Sequence, residues 1–512
     1  MTLDIDRRAI HWADRTAIVD YTSGERLSYA DFDERADRAA HRLAAAGVEP
    51  GDAVVVLSRN RPELLALFFG THRIGATLAP ISHRLAPETA TAVAGRIDPA
   101  LVLYEDRFGE LAGPISTEIG PAEAVTLDEW VTLEEQASRP PDGSPQAEAR
   151  AGSPPPLYLH TGGTTGVPKV VEISERQIEW NCITEVAAWG LGKETVSPIL
   201  LPMFHTGGWL LLTLPTLYVG GRILLQREFD PGEALRMIEE GGATQVFAVA
   251  AIFRAMAEHD EFAETEFSTV EWFISGGGPT PPAVMDAYRD RGETFAQGYG
   301  LTEGGPNNLY VDPTRENADE IADRHVGRPF PDCEARIVDE DGQPLEAGAV
   351  GELELAGPVT AERYLETEDG TFEAEDDADG KWVSTGDLAV RSDEGDYAIV
   401  GRTDNMFISG GENVFPETIE GALERHEDVE TVGVIPIAHD RWGQVPKAVV
   451  VPATRAEPDA DDLEAFADDL EAFARENLTD YEIPHEFAFA EELPLSGPGK
   501  IDRDALGEQY HE

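Results

Sequence analysis

Lysine is nearly absent from this chain. Of its 512 residues only Lys169, Lys193, Lys381, Lys447 and Lys500 are lysine, and the rest of its 39 basic residues are arginine. Against them stand 98 acidic residues, a formal net charge of −59. A surface of that sign repels phosphate backbones and anionic lipid, which disfavours nucleic acid and membrane surfaces as partners. Cysteine is as scarce. Cys182 and Cys333 alone cannot build a disulfide framework or a cysteine zinc site. Long apolar runs are missing too. The most apolar stretch, Trp209 to Val219, is short and interrupted by Pro215, so no spanning helix is expected there. The opening MTLDIDRRAIHWADRTAIVD has no apolar signal-peptide core, and the expectation is a soluble, cytoplasmic protein.

What is present is enough to fold. Hydrophobic residues make up 41% of the chain and recur along its whole length, so the acid excess does not read as disorder. It reads as a protein of a high-salt cytoplasm, from a halophile. At about 1 M salt the Debye length is near 3 Å, and self-repulsion is screened.

At ~150 residues per domain, the length predicts two to four structural units. The first 135 residues alternate helix and strand patterns: a helix from Ser28 to Ala46 that Ser28 can cap, a strand at Ala53–Ser58, a helix at Pro62–Ile74, a strand at Leu101–Tyr104. A Pro-rich connector fills 138–156, and a strand at Leu157–His160 runs into a Gly/Thr-rich loop. A second α/β run covers about 175–300, with strands at Ser197–Leu201, Arg222–Leu225, Gln245–Val249 and Trp272–Ile274. From 326 to 400, short alternating strands with Gly turns predict a small β-rich subdomain. A compact α+β tail follows Arg402. It carries DDLEAFA twice, at 461–467 and 468–474, which sets Leu463, Phe466, Leu470 and Phe473 on one helix face. That face suits packing on the tail's own sheet; a partner helix is the alternative.

The most informative segment is His160-Thr161-Gly162-Gly163-Thr164-Thr165-Gly166-Val167-Pro168-Lys169. Its glycines let several backbone N–H groups face one anion, its threonines add donors and Lys169 adds charge, a set suited to a triphosphate. Pro168 stands where a Walker A loop needs Gly, so it is not that motif. The segment resembles the phosphate-binding signature of the adenylate-forming superfamily, which includes acyl- and aryl-CoA ligases, luciferases and peptide-synthetase adenylation domains. His160, Gly162 and Val170 depart from that signature, where an aromatic, a serine and a glycine are usual. Further segments resemble the superfamily's other motifs in the same order: Leu201 to Trp209 around His205, Ser275-Gly276-Gly277-Gly278-Pro279, Gln297-Gly298-Tyr299-Gly300-Leu301-Thr302-Glu303, Thr385-Gly386-Asp387, Gly401-Arg402-Thr403-Asp404, Ser409-Gly410-Gly411 through Glu420, and Pro494 to Arg503 around Lys500.

The resemblance implies a fold, a site and a chemistry. The fold is α/β: a large N-terminal AMP-binding domain (1–403) of two α/β subdomains and a β-rich subdomain, then a small mobile α+β domain (404–512). The 161–169 loop holds ATP phosphates. Thr164 and Glu303 face Mg²⁺, a hard cation that takes oxygen ligands. Thr302 reaches the α-phosphate. Gln297, Gly298, Tyr299, Gly300 and Gly276–Gly278 surround adenine and the acyl group, with Tyr299 stacked on the base. Asp387 and Arg402 clamp the ribose. His205 gates the acyl pocket, Asp404 is the pivot, Ser409, Gly410 and Gly411 line the pantetheine channel, and Lys500 is the catalytic lysine. The activity implied is ATP-dependent acid–CoA ligation through an acyl-adenylate, releasing AMP and pyrophosphate, in a monomer or homodimer. Trp209, Phe247 and Gly277 are candidates for the acid pocket, though each equally suits core packing, and a bulky Trp209 would shorten the pocket. The wording of the motifs is nearest to medium- or long-chain fatty-acyl-CoA ligases. Aryl-acid and short-chain CoA ligases, a module loading a carrier protein, and a catalytically silent nucleotide-binding relative are the alternatives.

Overall fold

The computed structural model describes residues 3–119, 123–136, 154–161, 167–315, 318, 321, 325–365, 376–377, 380–426, 428–439, 441–453, 460–497 and 500–510. Its first layer is a six-stranded sheet in the order Glu123–Thr126, Leu101–Tyr104, Ala53–Leu57, Thr77–Pro80, Leu157–His160, Val170–Ile173. The pairs are parallel except the last, an antiparallel hairpin at the edge. Ala53–Leu57 is AVVVL with all five residues buried, the continuous apolar run of a strand covered on both faces. The helix Tyr29–Ala45 covers this layer. Ser28 opens it with a capping box: its hydroxyl accepts from the Asp31 N–H at 3.1 Å, and the Asp31 carboxylate accepts from the Ser28 N–H at 3.0 Å. The helix Pro62–Ile74 has the expected bounds, with Pro at its start and Gly75 in the left-handed region (φ 74°) at its end.

The second layer holds the parallel strands Gln245–Ala248, Trp272–Ser275 and Phe295–Tyr299, extended by antiparallel Leu309–Tyr310 and Arg328–Pro329. A further sheet joins distant parts of the sequence: Thr16–Asp20 pairs in parallel with Arg222–Leu225, which pairs with Val196–Ile199. The strand expected at Ser197–Leu201 therefore ends two residues early. Leu200 to Thr206 instead forms the irregular segment that delivers His205. The stretch from 207 to 218 is not one helix. A π-type turn at Gly207–Leu211 precedes a short helix at Thr213–Tyr218. Such π turns are rare and occur often at functional sites.

The β-rich subdomain is a four-stranded antiparallel sheet of Glu334–Val338, Val350–Ala356, Val383–Arg391 and Tyr397–Arg402, whose register sets Asp387 opposite Arg402. After Arg402 the chain turns and enters the tail, a sheet of Glu412–Val414, Phe407–Ser409, Gly443–Pro452 and Val429–His439 with Glu486–Phe489 beside the third of these. The repeat forms the helix Ala460–Asn477. Leu470 and Ala474 are fully buried against Phe407, Val432 and Val450, and Phe466 and Phe473 pack beside them. Its apolar face is thus used on its own sheet.

The charge excess has a consequence for stability. Raising KCl from ~0.1 M to ~1 M shortens the Debye length from about 10 to about 3 Å, and we expect the thermal midpoint to rise with it. A midpoint that falls over that range contradicts the self-repulsion account.

Candidate active site

The phosphate-loop candidate spans the hairpin from His160 to Val170, which face each other in register. The Thr161 N–H donates to the Lys169 carbonyl at 2.8 Å and closes the neck of the loop. Arg96 braces its exit by donating to the carbonyls of Val167 (3.2 Å) and Pro168 (2.8 Å). Gly162, Gly163, Thr164, Thr165 and Gly166 lie outside the described residues. His160, the departure from the usual aromatic, is a buried ring with a tie of its own. Its Nε2 accepts from the Ser82 N–H at 3.0 Å, and its Nδ1 lies 3.3 Å from the Thr161 carbonyl. Burial pushes its pKa down, so a neutral imidazole with the proton on Nδ1 satisfies both contacts.

Lys169 is exposed, with its Nζ 4.6 Å from the centroid of the Tyr364 ring, a cation–π contact. The Tyr364 hydroxyl donates to Glu303 Oε1 at 2.8 Å. Burial and the Glu303 charge raise the phenol's pKa, so it keeps the proton it donates. Tyr364 thus links the loop lysine to the candidate metal carboxylate. Sequence reasoning missed it, because the only cue was one tyrosine between two recognised motifs. It is carried there by the contact of its neighbours with the hairpin: the Leu365 N–H donates to the Val170 carbonyl at 2.8 Å and the Glu172 N–H to the Arg363 carbonyl at 3.2 Å.

His205 stands between Phe204 and His160, with ring centroids 4.5 and 6.3 Å away. The segment before it is gripped by buried Asn60, whose amide donates to the Leu201 carbonyl (2.9 Å) and accepts from the Met203 N–H (2.8 Å). Asn60 was also not foreseen. The hydroxyls of Thr206 and Thr302 are 3.0 Å apart and join the His205 and Glu303 segments directly. Gln297 Oε1 accepts from the Thr280 N–H at 3.2 Å, ordering the turn that follows Gly276–Gly278. In that turn Gly277 has φ 82°, and a Cβ on buried Gly276 would lie 2.9 Å from the Phe247 ring, whereas Gly278 has open space. Gly298 is backed by the Leu309 carbonyl, 3.3 Å from where a Cβ would sit. At Gly300 a Cβ would sit 1.4 Å from the Pro306 carbonyl oxygen. We therefore expect Gly300→Ala to displace the Tyr299–Glu303 segment at a cost of about 3 kcal/mol. A thermal midpoint and a KM for ATP both equal to the parent's would contradict this.

Phe247 is buried directly under Gly276. Of the two readings open for Trp209, the structure shows the core one. It is 0% exposed, its ring packs 5.3 Å from that of Phe68, and its indole N–H bonds the Met203 carbonyl. Trp209 is core packing and offers no surface to a substrate; the π-type turn directs it inward. Behind the same turn lies a polar cluster. Asn181 Nδ2 donates to the Leu210 carbonyl (2.5 Å) and to Glu185 Oε1 (3.2 Å), while Asn307 Nδ2 contacts Asn181 Oδ1 (2.9 Å) and Glu185 Oε1.

The ribose-clamp candidates are assembled. Asp387 accepts from the Tyr299 hydroxyl on one oxygen (2.5 Å) and from Arg402 Nη1 on the other (2.9 Å), and its N–H donates to Thr385 Oγ1 at 3.0 Å. Each carboxylate oxygen keeps further acceptor capacity. Asp404 is exposed in the turn between Arg402 and Phe407. Ser409 is buried, and exposed Gly410 and Gly411 both adopt positive φ, 63° and 101°. Lys500 begins the second strand of a short hairpin, opposite Gly497. Three residues on, Arg503 binds both Glu420 oxygens (2.8 and 2.6 Å) and lies 3.2 Å from Glu417. Burial pushes the Glu420 carboxyl up to about 8, and Arg503 opposes that shift. Glu417 also accepts from Asn405, beside Asp404, at 2.5 Å, and Thr418 donates to the Val400 carbonyl at 3.0 Å. Contacts therefore run from the turn at 404 to the base of the Lys500 hairpin.

Among the described residues, no group of three or more His, Cys, Asp or Glu side chains is placed to hold a metal ion. Glu303, joined through Tyr364 to Lys169, offers a carboxylate that fits Mg²⁺, which commonly takes one or two carboxylates, substrate phosphates and water. Among the described residues no helix is long and apolar enough to cross a membrane.

Residues 5–365 match the model of the AMP-binding enzyme family, and residues 418–500 match the AMP-binding enzyme C-terminal domain. The chain belongs to the AMP-binding enzyme family. It is similar to a feruloyl-CoA synthase of an Amycolatopsis species, 32% identical over 93% of each chain. It is also similar to a long-chain-fatty-acid–CoA ligase of Thermus thermophilus, 28% identical over 99% of this chain and 94% of that one. Among solved structures, ATP-bound MatB of Rhodopseudomonas palustris aligns with a TM-score of 0.88 and 25% identity, over 100% of this chain and 99% of that one.

Proposed function

We propose that this chain is an AMP-forming acid–CoA ligase, an acid–thiol ligase that uses ATP, Mg²⁺ and coenzyme A. The observation that carries the reading is the junction of separate motifs at one place: Thr206 against Thr302, and Tyr364 between Lys169 and Glu303. A carboxylate attacking a nucleotide α-phosphate brings two anions together, so catalysis is chiefly positioning and charge neutralisation. The 161–169 loop and Lys169 hold the phosphates, Thr302 reaches the α-phosphate, and Tyr299, Asp387 and Arg402 fix the nucleoside. Glu303, with Thr164, would hold Mg²⁺, which when bound would supply charge neutralisation on the phosphates. A carboxylate oxygen bonds the α-phosphorus, the bond to the bridging oxygen breaks, and pyrophosphate leaves. Lys500 stabilises the charge that develops. The domain from 404 to 512 then turns about Asp404, withdrawing Lys500 and presenting Ser409–Gly411 to the thiol. Sulfur bonds the acyl carbon, the bond to AMP breaks and the thiol proton passes to solvent.

Within this class, we favour an aryl-type acid over the medium- or long-chain fatty acid that the motif wording favours. The feruloyl-CoA synthase, named for an aryl acid, is 32% identical to this chain, and the long-chain-fatty-acid–CoA ligase 28%. The test is CoA-dependent AMP release across aryl, short-chain and fatty acids in multimolar KCl. An aryl optimum supports the reading, a fatty-acid optimum replaces its substrate half, and no turnover of any acid points to a silent nucleotide-binding relative.

A further inference from the structure

Lys169 and Glu303 carry opposite charges and meet the same side chain, yet no ion pair joins them among the described residues. Tyr364 stands between, with the Lys169 ammonium 4.6 Å over its ring and its hydroxyl donating to Glu303 Oε1 at 2.8 Å. Backbone ties on both sides hold the tyrosine there. The Ala361 N–H donates to the Glu303 carbonyl at 2.8 Å. Tyr364 itself pairs with Val171 as an antiparallel bridge, flanked by the bonds from Leu365 to Val170 and from Glu172 to Arg363. Arg363 Nε also donates to Glu172 Oε2 at 2.6 Å. The 361–365 segment is thus fixed to the Glu303 turn at one end and to the strand after Lys169 at the other.

We propose that Tyr364 is a positioning residue that keeps Lys169 and Glu303 apart, each aimed at its own ligand. Left in contact, the two charges would attract and neutralise each other. A lysine so paired has less to give a phosphate, and a carboxylate so paired has less to give a cation. The ring takes one side of the ammonium and leaves its other N–H donors for phosphate. The hydroxyl fixes the orientation of the carboxylate, whose oxygens keep lone pairs for a divalent ion, and outer partners of this kind tune metal ligands. The proposal rests on the nucleotide-and-metal half of the ligase reading and assigns a residue to that same site.

The test is binding, not turnover. Equilibrium dialysis in molar KCl measures the affinity for labelled α,β-methylene-ATP, which cannot lose pyrophosphate, in EDTA and in saturating Mg²⁺. The proteins are the parent, Tyr364→Phe and Tyr364→Leu. Tyr364→Phe keeps the ring and loses the hydroxyl. Its affinity in EDTA is expected to match the parent's, while the tightening that Mg²⁺ brings falls by about tenfold, the effect of losing a ligand's outer partner. Tyr364→Leu should show that fall and, in addition, bind up to about fivefold more weakly in EDTA, because phosphate must then open an exposed Lys169–Glu303 pair. A Tyr364→Phe protein that Mg²⁺ tightens as much as the parent overturns the orienting hydroxyl. Equal affinities of the two variants in EDTA overturn the separating ring. An equal loss in both conditions for Tyr364→Phe means that the side chain only supports the fold, and overturns the proposal whole. The ligase reading fails separately: absence of acid-dependent pyrophosphate exchange in the parent removes it, while the dialysis still decides what Tyr364 does.

Discussion

Lys500→Ala is expected to lower the rate of acyl-adenylate formation by ~10²- to 10³-fold, the loss that follows removal of one group aimed at developing transition-state charge. It is expected to leave thioester formation from supplied acyl-AMP close to the parent rate. The reason is geometric. Lys500 opens a two-residue strand anchored by Arg503 to Glu420 and Glu417, beyond the 404 turn, and in the proposed mechanism that side swings away before the thiol enters. A group withdrawn between half-reactions serves only the first. Separate single-turnover assays of the two steps check this, and equal loss in both contradicts the assignment.

Asp404→Pro should do the reverse. Asp404 is exposed in a turn, so the change removes no packing. Proline fixes φ near −65° and also restricts Thr403 before it. Rotation about this position is then blocked in whichever orientation proline permits. In the orientation described here, Thr418 bonds the Val400 carbonyl across the turn. We expect adenylation within a few-fold of the parent and thioester formation lower by at least about tenfold. An unchanged overall rate contradicts a pivot at this residue.

These expectations draw on a sequence that disclosed its elements better than its contacts. AVVVL at 53–57, the Ser28 cap and the Pro62 start are local signals: a buried run, a side-chain acceptor three residues before its donor, a proline whose missing N–H costs nothing at a helix start. The order of the Gly-rich motifs gave the family for the same reason, since each is a local pattern of residues. Tyr364 and Asn60 were illegible because their roles lie in pairings across the fold, with Glu303 and with the Leu201–Met203 segment. The choice between pocket and core at Trp209 was illegible because its place beside His205 says nothing of which way a π-type turn directs the ring. The buried polar cluster at Glu185 was hidden too. One glutamate on a helix reads as solvated surface, until the fold seals it beneath Leu210 and Asn307.

The most direct measurement is acid-dependent exchange of labelled pyrophosphate into ATP by the parent and by Lys500→Ala in multimolar KCl. Exchange that requires both an acid substrate and Lys500 is the result expected of an acyl-adenylate-forming ligase. Exchange without any acid, or none with any acid offered, contradicts it.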